Sequence, residues 1–156
     1  MRHAAIWLAA LAFGLGGCAA PPPPPAGPTD KLRIVSLNPC SDAILAEIAP
    51  GKLVAVSHYS HDPSAGSMPV DRARRWPSTG GSVEEILEMD ADMVVASTFL
   101  PPASRSALDK LDIPVVTLGM ENTVAGSLGQ VRKLAVEVGE GLDGVGVALV
   151  RGHLVV

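Results

Sequence analysis

Aromatic side chains are scarce. The 156 residues hold two Trp, one Tyr and two Phe, so each is worth locating. Basic runs are absent and the formal charge is −4, which argues against nucleic acid as a partner. A nucleophile elbow is absent too: Ser36, Ser57 and Ser97 fall at strand ends, but no Gly-x-Ser-x-Gly surrounds them. Gly80, Gly81 and Ser82 precede a helix, yet the Lys and the spacing of a phosphate-binding loop are missing. No internal repeat is present. Cysteines number two, Cys18 and Cys40, so one disulfide is arithmetically possible. What the chain does have is 47% apolar content, enough for a core, and room for one domain.

The N-terminus is an address rather than part of the fold. A short basic start is followed by an apolar stretch over 4–15, too short to span a bilayer as a permanent helix. Small residues then precede Cys18. Residues 1–17 resemble a bacterial lipoprotein signal peptide, whose cleavage would leave Cys18 as the lipid-bearing N-terminus. An ordinary secretory peptide with a chance cysteine is the alternative, and in either case the domain is exported. Two or more acyl chains would anchor it stably where one would be marginal. Residues 18–31 include five consecutive prolines, Pro21 to Pro25, and then Pro28. Such a segment favours a polyproline II spacer of about 3 Å per residue, a tether holding a domain off a membrane. Removing the signal removes Arg2, so the mature charge is 11 − 16 = −5.

The globular part starts with a short apolar, β-branched run over 33–37, a buried strand. Asn38 and Pro39 break it, as N-cap and first helical residue of a helix whose apolar face carries Ile44, Leu45 and Ile48. Residues 52–57 form a second strand. Residues 58–75 lack an apolar period and are expected to be one long surface loop. Ser82 and Glu85 make a capping box for a helix with Val83, Ile86 and Leu87 facing inward. A third strand over 93–96 follows, then a helix opened by Pro101 and Pro102 with Leu108 and Leu111 on its apolar side. A fourth strand spans 113–118, and the longest helix runs from Thr123 to about Val138, with Val124, Leu128, Val131, Leu134 and Val138 on one stripe. Strands alternating with helices predict an α/β fold with a parallel sheet covered on both faces. From Gly141 onward helical period is lost, and the tail is either one more strand or a frayed or foreign end.

Several clusters carry possible chemistry. The turn at Asn38 and Pro39 presents a helix N-terminus at the carboxyl edge of the sheet, where ligands of such folds sit. His58, His61 and Asp62 have metal-like spacing, but no third His or Cys completes a site, and a polar loop at a strand end is the plainer reading. Tyr59, the single tyrosine, suits a wet ligand surface. Arg72, Arg74 and Arg75 beside Trp76 suit an anionic or planar ligand, or equally a solvated basic patch. Gly80 and Gly81 permit close approach of a ligand to a helix N-terminus. Ser97, Thr98 and Phe99 end the third strand at the same edge; an exposed Phe99 is a ligand contact and a buried one is core. Cys40 and His58 could pair as nucleophile and base, although most lone cysteines are small buried hydrophobes.

The ordered set RIVSLNP (33–39), VSHYS (56–60), GGSVEEIL (80–87) and ADMVVA (91–96), followed by the long helix, resembles the N-terminal lobe of periplasmic binding proteins for cobalamin and ferric siderophores, which feed ABC importers. The resemblance runs from about 32 to 139. It implies one Rossmann-like lobe of a two-lobed fold, with residues 123–138 as the start of a long helix joining the lobes, no catalytic group, no cofactor and no bound metal. Ligand contacts would come from Asn38, Pro39, Tyr59, Trp76, Gly80, Gly81, Ser97, Thr98 and Phe99, and Glu84 would dock on the permease. Ala43 stands where relatives often carry Glu. On this reading residues 32–140 are the N-terminal lobe, and the glycine- and valine-rich 141–156 stand where a second lobe is expected, as in a truncated or frameshifted gene. The expected function is a lipid-anchored periplasmic receptor for a corrinoid or a siderophore- or haem-type iron chelate. The alternatives are a membrane-tethered one-lobe interaction domain without transport function and, more remotely, a small exported hydrolase.

Overall fold

A computed structural model describes residues 32–141. The signal, Cys18, the proline tether and all of the tail beyond Gly141 lie outside the described residues. Five parallel strands form one sheet in the order β3-β2-β1-β4-β5. They are β1 (Ile34–Ser36), β2 (Leu53–Ser57), β3 (Ser78–Thr79), β4 (Met93–Ser97) and β5 (Val115–Leu118). The helices are α1 (Pro39–Ile48), α2 (Val70–Ala73), α3 (Val83–Glu88), α4 (Pro102–Lys110) and α5 (Val124–Glu137), with a 3-10 turn at His58–His61.

The period of two sorts the strand side chains between two cores. Ile34, Met93 and Val95 face α1 and α5, where they meet Leu45, Ile48, Val131 and Leu134. Val35, Val94 and Ala96 face α3 and α4, where they meet Ile86 and Leu108. In β2 the alternation slips. Ile34 pairs with Leu53 and Val35 with Ala55, so Val54 is an extra residue, a bulge. Leu53 and Val56 consequently lie on the α1/α5 side while Val54 and Ala55 both lie on the other.

Local chemistry starts and stops the helices. Asn38 caps α1, its side chain accepting from the Cys40 amide at 2.9 Å, with Pro39 in the first turn. Ser82 and Glu85 cap α3 reciprocally. Thr123 caps α5, and Gly139 ends it in the left-handed region at φ +69°. There the Gly139 amide reaches Val136 and the Glu140 amide reaches Ala135 (2.8 Å), the paired bonds of a Schellman motif. The described α5 is a 14-residue helix that packs on the sheet through Val131, Leu134 and Ala135.

Three expectations are corrected. Residues 58–75 are not a plain loop: the 3-10 turn and α2 fill much of it, and Ser60 and Ala73 are fully buried. These pieces are one turn long, too short to show a period. Leu87, Leu111 and Val124 are exposed, Val124 by 68%, and each sits at or beside a helix end. The strand β3 was not expected, because two residues carry no alternation.

Leu134 is fully buried between α5 and the sheet. Leu134→Ala is expected to lower stability by about 3 kcal/mol, and Gly139→Ala by about 1 kcal/mol through the left-handed backbone, both read from urea unfolding. A loss near zero for Leu134→Ala would exclude α5 from the cooperative core.

Candidate ligand-binding edge

Parallel strands end at one edge, so the loops that follow them gather there. Asn38 follows β1, His58 and Tyr59 follow β2, Gly80 and Gly81 follow β3, Thr98 and Phe99 follow β4, and Gly119 and Met120 follow β5. The strand order switches sides between β1 and β4, the place where open α/β sheets leave a crevice. A cavity of about 320 Å³ lies at this edge. It is bounded by Cys40, Ala43 and Ile44 of α1, by Ser127, Gln130 and Val131 of α5, and by the loops after β4 and β5.

The predicted contacts divide between cavity and edge. Asn38, Ser97, Thr98 and Phe99 line the cavity, with Pro39 next to Asn38 at the head of α1. Phe99 is 74% exposed, so it is not part of the core, and its amide donates to the Ser97 hydroxyl at 3.2 Å. Tyr59, Gly80 and Gly81 stand on the same edge above β2 and β3, outside the cavity lining. Gly81 is required locally: its φ is +83°, and a Cβ there would press on Leu37 at 3.2 Å. Trp76 is separated from the rest. It precedes β3, on the amino side of that strand, and packs half-buried against the α1/α5 core. The unexpected β3 is the reason, since it places Gly80 and Gly81, not Trp76, at the carboxyl end.

The loop after β5 was missed. Met120, 76% exposed, joins Glu121 and Asn122 along the cavity, and the Gln130 amide ties the loop to α5 through the Gly119 carbonyl at 2.9 Å. The rule that singled out the ends of the other strands applies equally to this one. Glu121 folds over the head of α5 into the space left by the missing side chain of Gly126.

The remaining polar groups have local duties. His58 Nδ1 lies 3.3 Å from the Thr79 carbonyl, and His61 Nε2 lies 3.2 Å from that of Trp76. Among the described residues no group of three His, Cys, Asp or Glu is placed to hold a metal ion. Cys40 is an exposed free thiol whose sulfur lies 3.7 Å from the Ser67 hydroxyl. Arg72 pairs with Glu47 and donates to the Ala46 carbonyl, so it fastens α2 to α1. Glu84 is exposed in the first turn of α3. Its neighbour Glu85 accepts from the Ser82 amide and the Thr79 hydroxyl, which hold its carboxyl below the usual range.

Asp42 is the residue that sequence reasoning overlooked. It lies in the first turn of α1 and is fully buried. Its Oδ2 accepts from the Ser57 amide at 3.0 Å and the Ser60 hydroxyl at 2.6 Å, while Oδ1 has no partner. Burial pushes its carboxyl up to about 7, against the opposing pull of the Ser36 and Ser60 hydroxyls and the Ser57 amide. An acidic residue in a first turn is ordinary for a helix dipole, so the sequence carries no signal for its burial.

Taken together the edge offers apolar surface (Phe99, Met120, Ile44), amide and hydroxyl groups, and one exposed phenol. That is equipment for holding a ligand. Residues 34–141 match the family model described as periplasmic binding protein, and the chain belongs to that family. Solved structures share the fold. A periplasmic heme-binding protein from Roseiflexus sp. RS-1 in apo form is 21% identical with a TM-score of 0.61, covering 76% of this chain and 45% of its own. A periplasmic heme-binding protein from Pseudomonas aeruginosa is 22% identical with a TM-score of 0.57, covering 75% and 42%. An ABC transporter substrate-binding protein from Listeria monocytogenes EGD-e is 18% identical with a TM-score of 0.55, covering 74% and 43%. The chain thus spans less than half the length of these relatives. A comparison with curated proteins finds no match.

The raised pKa of Asp42 has a sign. The folded protein holds the proton more tightly than the unfolded chain, so the stability is fully present below about 3.8 and is lost as pH rises to about 7. The loss is at most about 4 kcal/mol. Asp42→Asn is expected to flatten this slope between pH 5 and 7.5 in chemical unfolding, and an unchanged slope would assign it to another group. Glu85, with its lowered pKa, acts only below that window.

Proposed function

We propose that the described lobe is one wall of the ligand site of a periplasmic substrate-binding protein serving an ABC importer, and that its ligand is a planar iron chelate of the haem type. The observation that carries the reading is that Tyr59 and Phe99, 52% and 74% exposed, stand on one carboxyl edge, with Phe99 lining an apolar cavity there and Tyr59 outside that lining. A phenolate oxygen is a hard donor suited to ferric iron, as in haem proteins with tyrosine ligation. Phe99 and Met120 supply apolar surface for a macrocycle. At about 320 Å³ the cavity takes an edge of such a ligand rather than all of it. The heme-binding names of solved relatives favour haem over a corrinoid or siderophore.

The remainder of the reading follows the family resemblance. Residues 1–17 direct export, Cys18 carries a lipid anchor, residues 18–31 are a tether, and 32–140 are the lobe held above the membrane. Glu84, exposed at the head of α3, docks on a basic group of the permease. The lobe carries out no chemistry on its ligand.

Titration with hemin, cobalamin and a ferric siderophore, followed by absorbance and Trp76 fluorescence, tests the ligand. Hemin is expected to bind with a shifted Soret band, and Tyr59→Phe to weaken it about tenfold or more, the loss of one strong contact. Binding of cobalamin alone, or hemin affinity indifferent to Tyr59→Phe, would overturn the assignment. Glu84→Arg is expected to leave hemin affinity unchanged and to abolish capture of the permease from membranes; retained capture would remove Glu84 from that role.

A further inference from the structure

The turn at His58–His61 carries Tyr59 into solvent, yet both residues that bracket its backbone are buried. Ser57 and Ser60 are 2% and 0% exposed, and both donate to the same oxygen, Asp42 Oδ2. The Tyr59 amide in turn reaches the Ser57 hydroxyl at 3.3 Å, and its ring rests against His58 with centroids 4.0 Å apart. The other polar anchors of the turn are the two imidazoles on the backbone carbonyls of Ala73, Trp76 and Thr79, at 3.2 to 3.3 Å. Among the described residues, Asp42 alone accepts from the turn on both sides of Tyr59.

The carboxyl also belongs to the β1–α1 turn. The Ser41 hydroxyl donates to the Asn38 carbonyl at 2.9 Å, so the 2.7 Å contact between Ser36 and Ser41 has Ser36 as its donor. The second carboxyl oxygen, Asp42 Oδ1, has no partner. The Asp42 amide also donates to the Asn38 carbonyl at 2.9 Å, so one buried cluster holds that carbonyl, Ser41, Ser36 and Asp42 and reaches Ser60 beside Tyr59. It joins the two stretches that flank β1 and β2 at the ligand edge. Every hydroxyl in it is buried, so loss of the central acceptor would strand a buried amide and a buried hydroxyl.

We infer that Asp42 is a positioning residue for the ligand edge: as the shared acceptor of Ser57 and Ser60 it sets the place of Tyr59 relative to Asn38. The role is that of a hydrogen-bond acceptor, so an amide of the same shape preserves it. The consequence for ligand affinity rests on the reading of Tyr59 given above; the effect on Tyr59 itself does not.

Tyr59 is the single tyrosine of the sequence, so 3-fluorotyrosine incorporated into the full chain gives one ¹⁹F resonance that reports on it. In the ligand-free protein, Asp42→Asn is expected to keep the resonance in place, and Asp42→Ala to move it toward that of free fluorotyrosine. Ser60→Ala removes one of the two donors and is expected to move it part of the way, and it decides the question if Asp42→Ala does not fold. Hemin affinity should stay within about threefold in Asp42→Asn and fall about tenfold or more in Asp42→Ala, the scale of one or two lost hydrogen bonds. On a Tyr59→Phe background the fall should vanish. A resonance unmoved in a folded Asp42→Ala, or unmoved in Ser60→Ala, overturns the inference. A resonance that moves in a protein that binds no hemin upholds the positioning role and refutes the haem reading alone.

Discussion

A parallel sheet has no short way back. Each strand must be followed by a crossover that returns the chain to the starting edge, and each crossover must leave from the same far edge. Five such strands impose two things on this lobe. Both faces have to be covered, which commits α1 and α5 to one side and α3 and α4 to the other. And the residues that follow the strands, scattered over some eighty positions from Asn38 to Met120, are brought to one rim. The candidate edge is a by-product of the fold's connectivity, and the loops that form it can vary without disturbing the sheet.

The cost of that arrangement is polar burial near the rim. Backbone at the ends of β1 and β2 has to be satisfied where no neighbouring strand continues, and a small group of serines does this around Asp42. A carboxyl so placed is favoured as the neutral acid, because its charge would be isolated from water and from any cation. The bulge in β2 lies in the same strand that delivers Ser57, so an extra residue, Val54, sets which face the last residues of β2 present.

Much of this was legible from residue order. Asn38 with Pro39, and Ser82 with Glu85, are signals whose whole chemistry lies within four residues, and both act in the structure as read. The alternation of Ile34, Val35, Met93 and Val94 likewise needs only the neighbouring residue to be interpreted. What failed was chemistry that depends on distant partners. A strand of two residues, Ser78 and Thr79, exists only because β2 lies beside it, and without it Trp76 looked like part of the rim. Asp42 and Ser60 are eighteen positions apart, and nothing near either one marks the pair as buried. Leu87 and Leu111 carry the right side chain at the right spacing, but they stand at the ends of α3 and α4 and are exposed.

Lys52 stands at the opposite rim, just before β2. Its ammonium holds the Val138 carbonyl at 2.7 Å and the Glu140 carboxylate at 2.8 Å. The end of α5 is therefore tied to the amino rim by a side chain from β2's approach. Glu140 thus stands at the rim opposite Tyr59 and Phe99, separated from them by the height of the strands, roughly 15 Å for a five-residue strand.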